Sequence, residues 1–97
     1  MTKVSFSPLH ITEAFKMLIT TSQKGAEMAT HISDKDAVLF VVSGNVEFLL
    51  DTVPTKLSSN ESILIPGGVR HSFSTVEDST CILTLDATAK IRFEKQS

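Results

Sequence analysis

The chain contains one cysteine, Cys81, and neither tryptophan nor tyrosine among its 97 residues. A lone cysteine excludes an intramolecular disulfide and a cysteine-based zinc cluster, and it fits a reducing cytoplasm. Without Trp or Tyr there is no aromatic platform carrying its own polar handle, so sugars are disfavoured as ligands. No apolar run approaches the length needed to span a bilayer, and a soluble protein is expected. There is no Lys/Arg cluster either, and the formal net charge is -2. Such a balance leaves no electrostatic footprint for nucleic acid or for an anionic membrane. The N-terminal segment Met1 to Pro8 has an early lysine but no apolar signal core, so a cytoplasmic location is the default expectation. No repeat, low-complexity tract or Pro/Ser-rich linker divides the sequence, and residues 1–97 are expected to form a single domain.

What the chain does have is a series of short β-prone runs separated by turn chemistry. Met28–Ser33, Ala37–Ser43, Val46–Leu50, Ser62–Ile65, Arg70–Val76, Thr80–Leu85 and Lys90–Phe93 are rich in Val, Ile, Thr, Phe and Leu. Phe15–Thr21 is an eighth candidate strand, although the stretch from Thr12 to Ile19 also fits a short helix. Between the runs lie Lys24-Gly25, Asp34 to Asp36, Gly44-Asn45, Asp51 to Pro54, Ser59 to Glu61, Pro66 to Gly68 and Glu77 to Ser79. Gly44-Asn45 has the composition of a tight hairpin turn. Many short strands at regular spacing imply an all-β antiparallel sandwich or barrel, because such sheets need two packed faces or closure to bury their apolar sides.

Two residue patterns narrow this further. Gly25 is followed by His31, Ser33, Ala37 and Gly44, and later come Asn60, Pro66, Gly68, His71 and Thr75. These positions resemble the two motifs of the cupin family, G-x5-H-x-H-x3,4-E-x6-G and G-x5-P-x-G-x2-H-x3-N. The first covers residues 25–44 and keeps both glycines and the first histidine, with Ser33 and Ala37 where the family has His and Glu. The second covers residues 60–75 and keeps Pro66, Gly68 and His71, with Asn60 for the leading Gly and Thr75 for the closing Asn. Asn is among the few residues that tolerate a positive φ at a turn. The resemblance implies a jelly-roll barrel, or double-stranded β-helix, built as a homodimer.

Cupins usually hold a divalent metal on the two histidines and glutamate of the first motif and the histidine of the second. Here the resemblance leaves only His31 and His71 in ligand positions, and serine is a poor ligand while alanine is none. Any Fe, Mn, Ni or Zn is therefore expected to bind weakly. Strand alternation puts His31 with Ser33 on one face and His71 with Phe73 on another, so these four side chains can converge as a ligand pocket in the barrel mouth. The simpler alternative is that the two histidines are partly buried and bonded to each other or to Ser33. Asp36 or Glu47 could replace the missing carboxylate, but a one-residue shift should turn Asp36 to the opposite face. An outward, solvated Glu47 is likewise the commoner arrangement. Cys81 lies in an apolar strand and is expected to be core. Phe6, Phe15, Phe40, Phe48 and Phe93 are assigned to core or dimer contacts, leaving Phe73 as the pocket aromatic.

Three functions follow in order of preference. The first is a small-molecule-binding barrel without tightly bound metal. The second is a metal-dependent enzyme of dioxygenase or isomerase type using His31, His71 and a substitute ligand. The third is a non-catalytic dimeric scaffold.

Overall fold

The computed structural model describes residues 4–94. The expectation drawn from Met1 to Pro8 falls partly on residues outside that range. Among the described residues ten strands appear: β1 (Ser7–Ile11), β2 (Phe15–Ser22), β3 (Glu27–Ser33), β4 (Ala37–Ser43), β5 (Asn45–Leu50), β6 (Val53–Ser58), β7 (Ser62–Ile65), β8 (His71–Thr75), β9 (Ser79–Asp86) and β10 (Ile91–Phe93). They form two five-stranded antiparallel sheets, ordered β1-β2-β9-β4-β7 and β10-β3-β8-β5-β6. The chain steps from one sheet to the other at most turns, so consecutive strands rarely pair and the two layers are wound together.

The seven expected strands are all present with boundaries shifted by a residue or less. The ambiguous Thr12 to Ile19 stretch is settled as strand from Phe15 onward. All eight residues of β2 pair with β9, and alternation turns Leu18, Thr20 and Ser22 inward. The Thr12 hydroxyl accepts the N–H groups of Ala14 and Phe15, fixing a turn where a helix would have begun. Strands β1 and β6 lie outside the eight expected runs, and each contains a proline, Pro8 and Pro54. Both lie at a sheet edge, where a missing N–H costs no ladder bond. Accordingly, the turn read over Asp51 to Pro54 is only Asp51-Thr52, joining β5 to β6 with Asp51 at φ 55°.

The reading of Gly44-Asn45 as a hairpin is also corrected. β4 pairs with β7 and β9, whereas β5 pairs with β6 and β8, so Gly44 carries the chain across from one sheet to the other. Its φ is +99°, and a Cβ there would lie 2.7 Å from the Cα of Ser79 and overlap the Asp78 carbonyl. Only glycine allows the two layers to approach so closely at this corner.

The core lies between the sheets. Leu39 and Val41 of β4, Val46 and Phe48 of β5, Ile65 of β7 and Cys81 of β9 are almost fully buried. Burying each of the larger side chains is worth about 1.5–3 kcal/mol. Burial pushes the Cys81 thiol up to about 11, so it is a packed, un-ionised side chain. Among the described residues no helix is long and apolar enough to cross a membrane.

Candidate functional site

The two motif histidines are direct cross-strand partners: His31 on β3 faces His71 on β8. Regular alternation from Met28 would have turned residue 31 outward. A bulge between Met28 and His31 restores the inward direction, so both residues line the same cavity. His71 and Phe73 then alternate inward along β8, beside Phe48 of β5.

The turns behind the histidines are clasped together. The N–H of Gly68 donates to the Ser33 carbonyl at 2.7 Å, and that of Gly67 donates to Oδ1 of Asp36 at 2.8 Å. Asp36 is thus exposed and occupied in joining the two motif turns. Asn60 takes φ +70°, as its place at a motif glycine required. Thr75, in place of the motif asparagine, donates its hydroxyl to the Gln23 carbonyl at 2.6 Å and accepts the Ala26 N–H at 3.0 Å. It anchors the loop that leads into β3.

The cavity measures about 210 Å³ and is half enclosed. His31, Ser33, His71 and Phe73 all line it, with Ala37, Leu39 and Ile65 from the facing sheet. Assigning the other phenylalanines to core or dimer contacts alone needs correction, because Phe6, Phe48 and Phe93 also contribute to its wall. Period-two alternation of β5 could have shown this for Phe48, whereas Phe6 and Phe93 arrive from chain segments whose positions are set by topology. Phe48 lies nearly parallel to His71 (12°, 5.7 Å) and to Phe73 (10°, 6.1 Å). Phe93 is largely exposed and marks the opening, on the three-residue edge strand β10. An exposed ion pair, Arg70 Nε to Glu94 Oε1 at 2.7 Å, links that strand to the approach of β8. It contributes no more than about 1 kcal/mol.

The histidine rings meet edge to face at 4.1 Å between centroids. They are hydrogen-bonded neither to each other nor to Ser33. His31 Nδ1 lies 2.8 Å from the Ala29 carbonyl and His71 Nδ1 lies 3.0 Å from that of Val69. A carbonyl can only accept, so each Nδ1 carries a proton, and a ring in its neutral form presents Nε2 as an acceptor. Among the described residues no hydrogen bond engages either Nε2, and no buried side-chain nitrogen or oxygen is left sealed without a partner. Both atoms therefore remain accessible. Burial is the main cause that lowers the His71 pKa below 6.5, with the Val69 carbonyl opposing and His31 reinforcing the shift. The Ser33 hydroxyl is turned away from such work, since it donates to the Lys35 carbonyl at 2.9 Å and accepts the Lys35 N–H.

A cupin-type metal centre does not fit this donor set. Two imidazoles are present, the Ser33 hydroxyl is engaged by backbone, and Ala37 offers no donor. Among the described residues no group of three or more His, Cys, Asp or Glu side chains is gathered to hold an ion. Glu47 is exposed on β5 opposite Lys56, and the third histidine, His10, is exposed on β1.

Two antiparallel sheets wound into a barrel, with motif histidines inside, define a double-stranded β-helix protein. The family model for the cupin domain matches residues 18–87, and the chain belongs to that family. No curated protein matches it at significant similarity. Among solved structures it is similar to an uncharacterised conserved protein with a double-stranded β-helix domain from Klebsiella pneumoniae. That pair shows a TM-score of 0.87 at 16% identity, over 97% of this chain and 86% of the other. An RmlC-like cupin from Shewanella frigidimarina aligns with TM-score 0.81 at 22% identity, over 88% and 77% of the two chains. Salicylate 1,2-dioxygenase from Pseudoaminobacter salicylatoxidans aligns with TM-score 0.80 at 18% identity, over 88% of this chain but 25% of the enzyme. These identities establish the shared fold alone.

Proposed function

We propose that this cupin is a binding module that holds a small organic molecule between its sheets, beside His31 and His71, without a tightly bound metal. One observation carries the reading: a chain of this size keeps a half-enclosed cavity of about 210 Å³ in the middle of its core. Its lining is apolar, with a few convergent polar atoms, which is the usual composition of a small-molecule site. The buried, un-ionised Cys81 also suits a reducing compartment, and the cytoplasm is proposed as its location. A titration of isotopically labelled protein with small neutral aromatic compounds tests the reading by NMR. Shifts confined to Phe73, Ile65, Ala37 and the two histidines are expected. The absence of any cavity shift at millimolar concentrations would refute it.

A second proposal is that the barrel pairs with another copy of itself. On the outer face of the β1-β2-β9-β4-β7 sheet, Ile19, Ile82 and Phe40 form one cross-strand row, and Met17, Thr84, Val38 and Leu64 form the next. Val38 and Leu64 are 40% and 57% exposed, and neither row contains a Lys, Arg, Asp or Glu, the exposed His10 of β1 ending the second row beside Met17. Five strands at about 4.8 Å spacing, over about six steps of 3.4 Å, give a face of roughly 500 Å² per copy. About 1,000 Å² in total is at the small end for a specific interface, so a weak, reversible dimer is expected rather than an obligate one. Sedimentation velocity across a hundredfold concentration range should show it, and Ile82→Glu should abolish it. A mass that stays monomeric at every concentration would refute it.

A further inference from the structure

We propose that the cavity selects uncharged phenols: compact aromatic molecules whose one hydroxyl donates a hydrogen bond to the paired histidine Nε2 atoms. The inference rests on the ligand-binding reading above and adds a chemical class to it.

The polarity of the site has one sign. Both Nδ1–H groups are committed to the carbonyls of Ala29 and Val69, so in the neutral form of the rings both Nε2 atoms can only accept. The Ser33 hydroxyl, the other polar group on the wall, is engaged with Lys35 in both directions. The remaining lining is hydrocarbon, aromatic ring and the weakly accepting thioether of Met28. A polar group on the guest is therefore satisfied only where it is a donor. A carbonyl or ether oxygen would face two acceptors without a proton between them.

Charge is excluded for a related reason. No Lys, Arg, Asp or Glu lines the cavity. A carboxylate would lose its hydration and find no cation or N–H group, and an ammonium would find acceptors but no counter-charge. The site thus discriminates against the anionic aromatics that a cationic pocket would favour.

Size and shape limit the body of the guest. Apolar cavities of about 150 Å³ take up benzene, so about 210 Å³ accommodates one ring with a small substituent. The near-parallel planes of His71, Phe48 and Phe73 give the wall a common ring orientation that suits a flat aromatic guest.

Phenol, toluene and benzoate, titrated into the full chain at pH 7.5, separate these terms. Phenol and toluene should bind in the cavity, and benzoate should not bind measurably. Toluene is intrinsically the more hydrophobic probe, so the informative quantity is the phenol-to-toluene affinity ratio in wild type against His31→Phe and His71→Phe. That ratio should fall roughly tenfold when an acceptor is removed. Long-range ¹H–¹⁵N spectra of the wild-type imidazoles provide a readout that needs no variant to fold. Phenol should shift the Nε2 resonances while the Nδ1–H pattern persists, and toluene should leave Nε2 nearly unmoved. Cavity binding of both probes with an unchanged ratio and unmoved Nε2 resonances would overturn the phenol assignment and leave the binding module standing. Benzoate binding more tightly than phenol would overturn it by showing a cationic site. Failure of phenol and toluene alike to enter the cavity would remove the binding-module reading itself.

Discussion

Replacing Ala37 by leucine should stabilise the protein and close its pocket at the same time. Ala37 is 5% exposed, lines the cavity, and pairs with Ile65 and Leu85, which line it too. Three added carbons entering existing space gain about 0.8 kcal/mol each, or about 2.4 kcal/mol together. Fixing the longer side chain costs about 0.5–1 kcal/mol of rotamer entropy, which leaves a net gain of about 1.5 kcal/mol. At about 4–8 °C per kcal/mol for a domain of this size, the melting temperature should rise by about 6–12 °C. Room for such a group is also implied by the family resemblance, which puts a glutamate at this position. Thermal melts by circular dichroism measure the first effect, and loss of phenol binding measures the second. A destabilisation of more than about 1 kcal/mol would mean that the leucine overpacks a filled core and that the open space is not there. Stabilisation with binding intact would place the ligand outside the cavity. The expected exchange of function for stability is the usual consequence of filling a binding site.

Other outcomes follow from the same geometry. Ser33→His with Ala37→Glu adds a nitrogen and a carboxylate beside His31 and His71, and calorimetric titration should show Ni, Mn or Fe binding at least about 100-fold tighter than in wild type. That scale follows because even outer-sphere partners of a metal are worth about 10- to 100-fold; equal tight binding by wild type would show that another residue already completes a site, with His71→Ala as the control. The same Ser33 change removes the bond to Lys35 and should cost about 1 kcal/mol of stability in urea melts. Gly44→Ala should cost about 3–5 kcal/mol, combining backbone strain with collision against the Asp78-Ser79 corner. Gly25→Ala, at φ +86° but in open space, should cost only about 1–2 kcal/mol, and equal losses in the two would refute the steric account. Because the folded-state pKa of His71 is depressed, its contribution to stability is fully present above pH 6.5 and is lost as pH falls below that value. Urea midpoints measured between pH 7.5 and 5 should decline by no more than one proton's worth, about 1.4 kcal/mol per pH unit, and His71→Phe should flatten the decline. A midpoint that rises on acidification would contradict the assignment.

Alternation and turn chemistry in the amino-acid sequence were enough to determine seven strands, an all-β sandwich or barrel, and the shared faces of His31 with Ser33 and of His71 with Phe73. Each of those features is local, because side chains reverse direction every residue and Asn, Gly and Pro constrain φ wherever they stand. The motif spacing also identified the family from a handful of positions. Tertiary structure decided whatever depends on which strand lies beside which. Pro8 and Pro54 are compatible with strands only because β1 and β6 fall at sheet edges. Gly44 makes a crossing between layers rather than a hairpin because its neighbours pair elsewhere. Asp36 is removed from the ligand candidates by the N–H of Gly67, thirty-one residues away, and the Ser33 hydroxyl by the turn it caps. Phe6 and Phe93 reach the cavity wall from opposite ends of the described chain. The acceptor character of the two imidazoles was equally invisible beforehand, since it follows from the carbonyls of Ala29 and Val69 turning toward Nδ1. Side-chain direction is a property of a strand, whereas a pocket and its polarity are properties of the strands that meet around it.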